Sequence, residues 1–260
     1  MKTFKDKTIL VTGASGGLGA AMARRLADPT TTLLLTARSE DRLESVGADL
    51  RAHGASAHVF PQDLAQAGAD AALHDAVTAA GFAPDVLVNN AGFGMLGRFE
   101  SASVETYAQM LMLNVVNLTG LTRRFLPHLL GTGDAGVLNV ASTAAYQPVP
   151  YFAVYAASKS YVLSFSQALW AEYRGRGLTV TCLSPGPTRT GFQARAGSEG
   201  VALGSMESAE EVARVGLRAL LDGKRAVVSG FGNKVGAVGG RLAPRSLLLA
   251  VVERAFKALI

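Results

Sequence analysis

Tyr155 and Lys159 stand four residues apart in Tyr155-Ala-Ala-Ser-Lys159, and on a helix that spacing turns both side chains to one face. A free phenol, with a pKa of about 10, moves protons poorly at neutral pH. A neighbouring ammonium favours the phenolate, as does the positive ring of an oxidised nicotinamide, so the pair suits proton transfer coupled to hydride transfer. Thirteen residues before the tyrosine, Val140-Ala-Ser142 closes an apolar run. That puts a serine hydroxyl at the carboxyl edge of a parallel sheet, where doubly wound folds take their ligands. Together the three side chains suit acid–base chemistry on a ligand held at that sheet edge.

A place for the dinucleotide comes from Thr12-Gly-Ala-Ser-Gly-Gly-Leu-Gly19, which follows the first apolar run and opens a helical segment. Gly13, Gly17 and Gly19 allow a tight turn, a close backbone approach to phosphate, and close packing of helix on strand. The helix N-terminus offers free N–H groups to a pyrophosphate. The second strand ends Leu35-Thr36-Ala37-Arg38, at the tip that meets the adenosine ribose. An acidic residue there would repel a 2′-phosphate, whereas the guanidinium of Arg38 matches one. NADP(H) is expected over NAD(H), with Glu40 and Asp41 nearby keeping NAD(H) as the alternative.

These residues need a frame. The chain has 260 residues, 49% hydrophobic and 17% charged, with 29 Gly and 9 Pro, which excludes disordered and collagen-like chains. Short apolar runs at 8–12, 32–36, 57–60, 86–88, 136–140, 178–183 and 226–228 read as strands buried on both faces. Helical segments near 18–26, 39–52, 64–80, 103–129, 152–174 and 207–221 alternate with them. The expected fold is α/β: a single Rossmann-type doubly wound parallel sheet of about seven strands, helices on both faces. Residues 1–230 form the dinucleotide-binding catalytic domain, and 231–260 a basic amphipathic extension.

Charge and cysteine narrow the setting. Residues 222–260 hold seven Lys/Arg against two acidic residues, which is the whole net charge of +5. The body is therefore balanced and no nucleic-acid partner is expected. No run of about 18 uncharged apolar residues or secretory h-region appears. Cys182 is the only cysteine, read as a small core residue in a reducing, cytoplasmic protein. The four histidines show no ligand spacing, so no metal site is expected.

The ordered motifs resemble the short-chain dehydrogenase/reductase superfamily in its single-domain branch, and more finely its NADP-preferring members with a basic apolar C-terminal extension. They are the glycine loop, Asp63-Leu64, Asn89-Asn-Ala-Gly92, Asn114, Ser142, Tyr155 with Lys159, and Pro185-Gly-Pro-Thr-Arg-Thr190, spread over residues 5–230. The resemblance implies that Tyr155 is the acid/base, Ser142 binds the substrate oxygen, and Lys159 binds the nicotinamide ribose and lowers the phenol pKa. Asn114 would hold a relay water. The cofactor would lie against Gly13, Ser15, Gly16, Gly17, Leu18, Gly19 and Arg38, then Asp63, Leu64, Asn90, Ala91 and Gly92, and finally Tyr155, Lys159, Pro185, Gly186 and Thr188. Where NADP-preferring members carry a cation before the second loop glycine, this chain has Gly16, leaving Arg38 as the cation expected at the 2′-phosphate. At least one of Asn89 and Asn90 is expected to tie strands together. The resemblance also implies a homodimer or homotetramer paired through the helices near 103–129 and 152–174.

Apolar residues wall the substrate side, with Phe93, Tyr146, Tyr151 and Phe192 as the pocket. An uncharged, fairly hydrophobic ketone, aldehyde or secondary alcohol is expected; Arg189 and Arg195 could instead meet an anionic group. The alternative function is a non-catalytic dinucleotide-binding regulator or scaffold of the same fold. In the extension, Gly230, Gly232, Gly236, Gly239 and Gly240 are too many for a stable helix. Residues 246–260 form an amphipathic helix whose stripe runs through Leu248, Val251, Val252, Ala255, Phe256 and Leu259. Its three destinations are the domain or a partner subunit, a peripheral membrane contact, and a disordered end.

Overall fold

Aliphatic residues on successive positions bury both faces of each central strand. In the computed structural model, which describes residues 1–192, 196, 206–242 and 244–257, β1 (Thr8–Thr12), β2 (Thr32–Ala37), β3 (Ser56–Pro61), β4 (Val86–Asn89), β5 (Ala135–Val140), β6 (Leu178–Ser184) and, later in the chain, β9 (Ala226–Val228) form one sheet. Its order is β3-β2-β1-β4-β5-β6-β9, and every pairing is parallel. Between β6 and β9, β7 (Thr188–Arg189) and β8 (Glu207–Ser208) make a small separate ladder.

Alternate residues supply two cores. Ile9, Val11, Leu33 and Leu35 face α1 (Gly17–Leu26), α2 (Glu40–Ala52) and α7 (Ala209–Leu221), meeting Met22, Leu43 and Leu217. Leu10, Leu34 and Leu87 face the other way, onto Leu73 of α3 (Ala69–Ala79) and Leu121 and Phe125 of α5 (Asn117–Gly131). α4 (Val104–Leu111) runs into α5 through a π-helical turn over Met112–Val116. Ser103 and Ser208 cap α4 and α7, accepting from the N–H groups of Thr106 and Glu211. α6 (Ala153–Tyr173) covers β5 and β6. From β1 the chain runs outward to β3 and returns as β4 on β1's other side. That reversal opens a crevice at the strands' carboxyl ends.

The extension corrects one expectation. The glycine-rich stretch is helical, as α8 (Phe231–Leu242), and α9 (Arg245–Lys257) follows it. Glycine lowers helix propensity by up to about 1 kcal/mol per residue, but here it also permits close packing. A Cβ on Gly240 would lie 2.6 Å from Gln147 Oε1, and one on Gly186 would lie 2.0 Å from Asn233 Nδ2 of α8. Asn233 Nδ2 also donates to the Ser229 carbonyl at 2.9 Å. α9 buries Val252 against Val149 and Ala156, with Leu248 and Phe256 beside it. The inward face of the amphipathic stripe thus packs on the domain.

Candidate active site

A cleft of about 1000 Å³ follows the carboxyl ends of the strands, roomy enough for a dinucleotide and a small substrate. Gly13 and Gly17 turn the chain at φ +68° and +53°. A Cβ on Gly13 would press on Asn90 Nδ2 at 2.9 Å. α1 starts with no side-chain cap at Gly16, whose Cα faces open space, so its first-turn N–H groups are available to an anion. Ser15, Gly16, Gly17 and Leu18 line the cleft. Gly19 does not: a Cβ there would meet the Gly13 carbonyl oxygen at 2.2 Å, so its part is to let α1 seat against the loop. The cradle fits a pyrophosphate.

Arg38 stands exposed at the tip of β2 and lines the cleft. Arg42, one helical turn later, lines it too and donates from Nε to Ser39 Oγ at 3.3 Å. Sequence reasoning passed over Arg42, which the start of α2 at Glu40 brings into its first turn. Asp63 and Leu64 lie across from them. The Asp63 carboxylate accepts from the Ala65 N–H and Gln66 Nε2, and Asn117 Nδ2 fixes the loop by donating to the Leu64 and Gln66 carbonyls at 2.8 Å each. Asn90, Ala91 and Gly92 continue the wall. Both asparagines also tie elements together: Asn90 Nδ2 donates to the Thr12 carbonyl, and Asn89 Nδ2 to Thr122 Oγ1 and Asn139 Oδ1.

At the far end, α6 brings Tyr155 and Lys159 to one face, opposite the end of β5. Tyr155 is buried, its ring 4.3 Å from that of Phe152 and 5.5 Å from that of Phe192. Burial pushes its pKa up to about 12, and the Ser142 hydroxyl, hydrogen-bonded to the phenol, pulls the other way. Ser142 is itself oriented by the Ala144 N–H, which donates to Oγ at 3.2 Å. Lys159 Nζ donates to the Val140 carbonyl at 2.9 Å and lies 5.8 Å from the centre of the Tyr155 ring. Burial brings the ammonium down to about 8. The lowering of the phenol expected from Lys159 is not among the influences that shift it here: desolvation leads, opposed by Ser142.

Asn114 sits in the π-helical turn, fully buried. Its Oδ1 accepts from the Phe93 N–H, while Nδ2 donates to the Phe93 carbonyl and Ser158 Oγ. A Cβ on Gly92 would lie 3.0 Å from Asn114 Oδ1 and 3.1 Å from Lys159 Nζ, so a side chain there would crowd both groups.

Two pocket expectations are corrected. Tyr146 and Tyr151 do not line the cleft. Tyr146, in a 3-10 turn over Thr143–Tyr146, packs into the α6 core and accepts from Ser184 Oγ at 3.4 Å. Tyr151 takes a left-handed backbone, φ 63°, in the turn before α6. The other two expected residues, Phe93 and Phe192, do line the cleft, joined by Leu96, Val149 and Phe152. Gly232, Asn233, Gly236 and Ala237 of α8 and Phe256 of α9 also line the cleft, and no motif marked them. Pro185, Gly186 and Thr188 lie where expected. Arg195 and Leu259 fall outside the described residues.

Residues 7–200 match the family profile of short chain dehydrogenases. The chain belongs to the short-chain dehydrogenase family. This dehydrogenase is 32% identical over 195 residues to the probable oxidoreductase EphD of Mycobacterium tuberculosis, a span covering 75% of this chain and 33% of EphD. The matched span thus covers about a third of that relative's length. A short-chain dehydrogenase from Sphingobium yanoikuyae in complex with NADPH superposes with a TM-score of 0.81 at 29% identity, covering 90% of this chain and 92% of that one. A family member from Burkholderia phymatum in complex with NAD gives 0.83 at 25% identity, over 92% and 94%. α8 and α9 lie beyond the residues that the dehydrogenase profile matches.

Proposed function

We propose that this short-chain dehydrogenase is an NADP(H)-dependent oxidoreductase acting on an uncharged, fairly hydrophobic ketone, aldehyde or secondary alcohol. The observation that carries the reading is Tyr155, hydrogen-bonded to Ser142 and enclosed by Phe152 and Phe192 at the apolar end of the cleft.

A nicotinamide dinucleotide, when bound, supplies or accepts the hydride. The α1 N-terminus would hold its pyrophosphate, Arg38 with Arg42 the 2′-phosphate, and Lys159 the nicotinamide ribose. Ser142 holds the substrate oxygen beside the phenol. Tyr155 gives its proton to that oxygen as the carbonyl is reduced, or takes it from the alcohol in the opposite direction. A phenol held protonated by burial suits the donor role at neutral pH. Asn114, bonded to the backbone of Phe93, is the relay position behind Lys159. NADPH beside the Sphingobium relative supports the dinucleotide, and the two arginines support the phosphate.

The same reading pairs two copies through α4 to α6, where Val104, Leu111, Val116 and Tyr161 are exposed. A panel of bulky ketones and small oxo-acids, each with NADPH and NADH, tests the function. Turnover of the ketones with NADPH is expected, and turnover of the charged oxo-acids alone would refute it.

A further inference from the structure

α8 and α9 both expose large apolar side chains on the side turned away from the domain. On α8, Phe231 is 84% exposed and Val235 58%, one turn apart, while Gly232, Gly236 and Ala237 on the opposite side line the cleft. On α9, Leu247 is 59% exposed and Val251 60%, again one turn apart, while Val252 is buried. Lys234, Arg245, Arg254 and Lys257 stand exposed on the same two helices, with Glu253 as their one acidic residue.

Apolar side chains and cations interleaved in this way match one kind of occupant. A bilayer with anionic headgroups offers hydrocarbon to the first set and phosphate to the second. A second copy placed face to face would bring like charges together, and a nucleic acid offers nothing to the aliphatic Val235, Leu247 or Val251. Among the described residues no helix is long and apolar enough to cross a membrane, so the contact would lie in the interface plane. We propose that α8 and α9 form a docking surface for anionic lipid bilayers, with Phe231, Val235, Leu247 and Val251 toward the acyl chains and the four cations at the headgroups. Docking sets the apolar end of the cleft one helix thickness, about 10 Å, from the lipid. None of the eight docking residues lines the cleft, so this surface stands or falls independently of the catalytic reading.

Flotation of the full chain with vesicles tests it, using phosphatidylcholine alone beside equal parts phosphatidylcholine and phosphatidylglycerol. The chain floats with the anionic vesicles, stays behind with the neutral ones, and is released by salt. Phe231→Ser with Leu247→Ser, and separately Arg254→Glu with Lys257→Glu, each lower the bound fraction roughly tenfold while leaving the melting temperature unchanged. No flotation of the native chain, or equal flotation of native chain and both variants, overturns the proposal. So does a native dimer that the serine pair turns into a monomer, which would assign the face to a second copy.

Discussion

Lys159 Nζ lies 5.8 Å from the centre of the Tyr155 ring and spends its short hydrogen bond on the Val140 carbonyl, 2.9 Å away. The ammonium is thus fixed to the end of β5 beside the phenol. This buried cation has a cost that depends on pH. Its pKa falls from 10.5 to about 8, so the unfolded chain holds the proton more tightly. Stability contributed by this group is lowest below about pH 8 and rises toward pH 10.5. The penalty at neutral pH is about 3 kcal/mol. Lys159→Met should abolish the rise and gain stability at pH 7, less roughly 1–3 kcal/mol for the unpaired Val140 carbonyl. Urea denaturation at several pH values checks this; an unchanged slope between pH 8 and 10.5 would count against it.

Gly19 and Gly16 should respond oppositely to alanine. The added carbon meets the Gly13 carbonyl oxygen at 2.2 Å in the first and nothing within 4 Å in the second. Gly19→Ala should destabilise by about 1–3 kcal/mol and weaken dinucleotide binding, whereas Gly16→Ala should leave the melting temperature nearly unchanged. Thermal melts and cofactor titrations of both variants separate packing from contact.

Arg38→Ala should raise the dissociation constant for NADPH roughly tenfold to a hundredfold, the worth of a charge-assisted bond of about 1.5–3 kcal/mol. The constant for NADH should stay within about twofold. Arg42→Ala should act in the same direction and more weakly, because its Nε is already engaged by Ser39. Equal losses for both dinucleotides would remove the 2′-phosphate assignment.

Gly236 lines the cleft and faces open space. Gly236→Leu should leave the fold intact and fill part of the substrate end. KM for a bulky ketone should rise roughly tenfold, while a small ketone should be little affected. Steady-state kinetics on the two substrates check this, and parallel changes would place α8 outside the substrate's path.

The sheet was legible because doubly buried parallel strands must be apolar at consecutive positions, as Leu33-Leu34-Leu35 and Val86-Leu87-Val88 are. Tyr155, Lys159 and Ser142 were legible because their spacing sets helix face and strand end, and the fold brings them to one end of the cleft. Tyr146 and Tyr151 misled because spacing does not show which way a short turn points its ring. The glycine helix α8 was hidden for a related reason: propensity counts glycine against a helix, and only tertiary contacts such as Gly240 on Gln147 reveal why it is needed. The phenol's upward shift was likewise invisible, since desolvation depends on Phe152 and Phe192 arriving from separate segments.

The proposed chemistry rests on the Tyr155 phenol moving the proton. Tyr155→Phe removes one oxygen and leaves the ring between Phe152 and Phe192, so the packing survives. The decisive measurement is kcat of this variant with NADPH and a hydrophobic ketone, alongside its NADPH dissociation constant. A fall in kcat of roughly 10²–10⁴-fold is expected, with cofactor affinity nearly unchanged; full turnover by the phenylalanine variant would remove Tyr155 from the proton transfer.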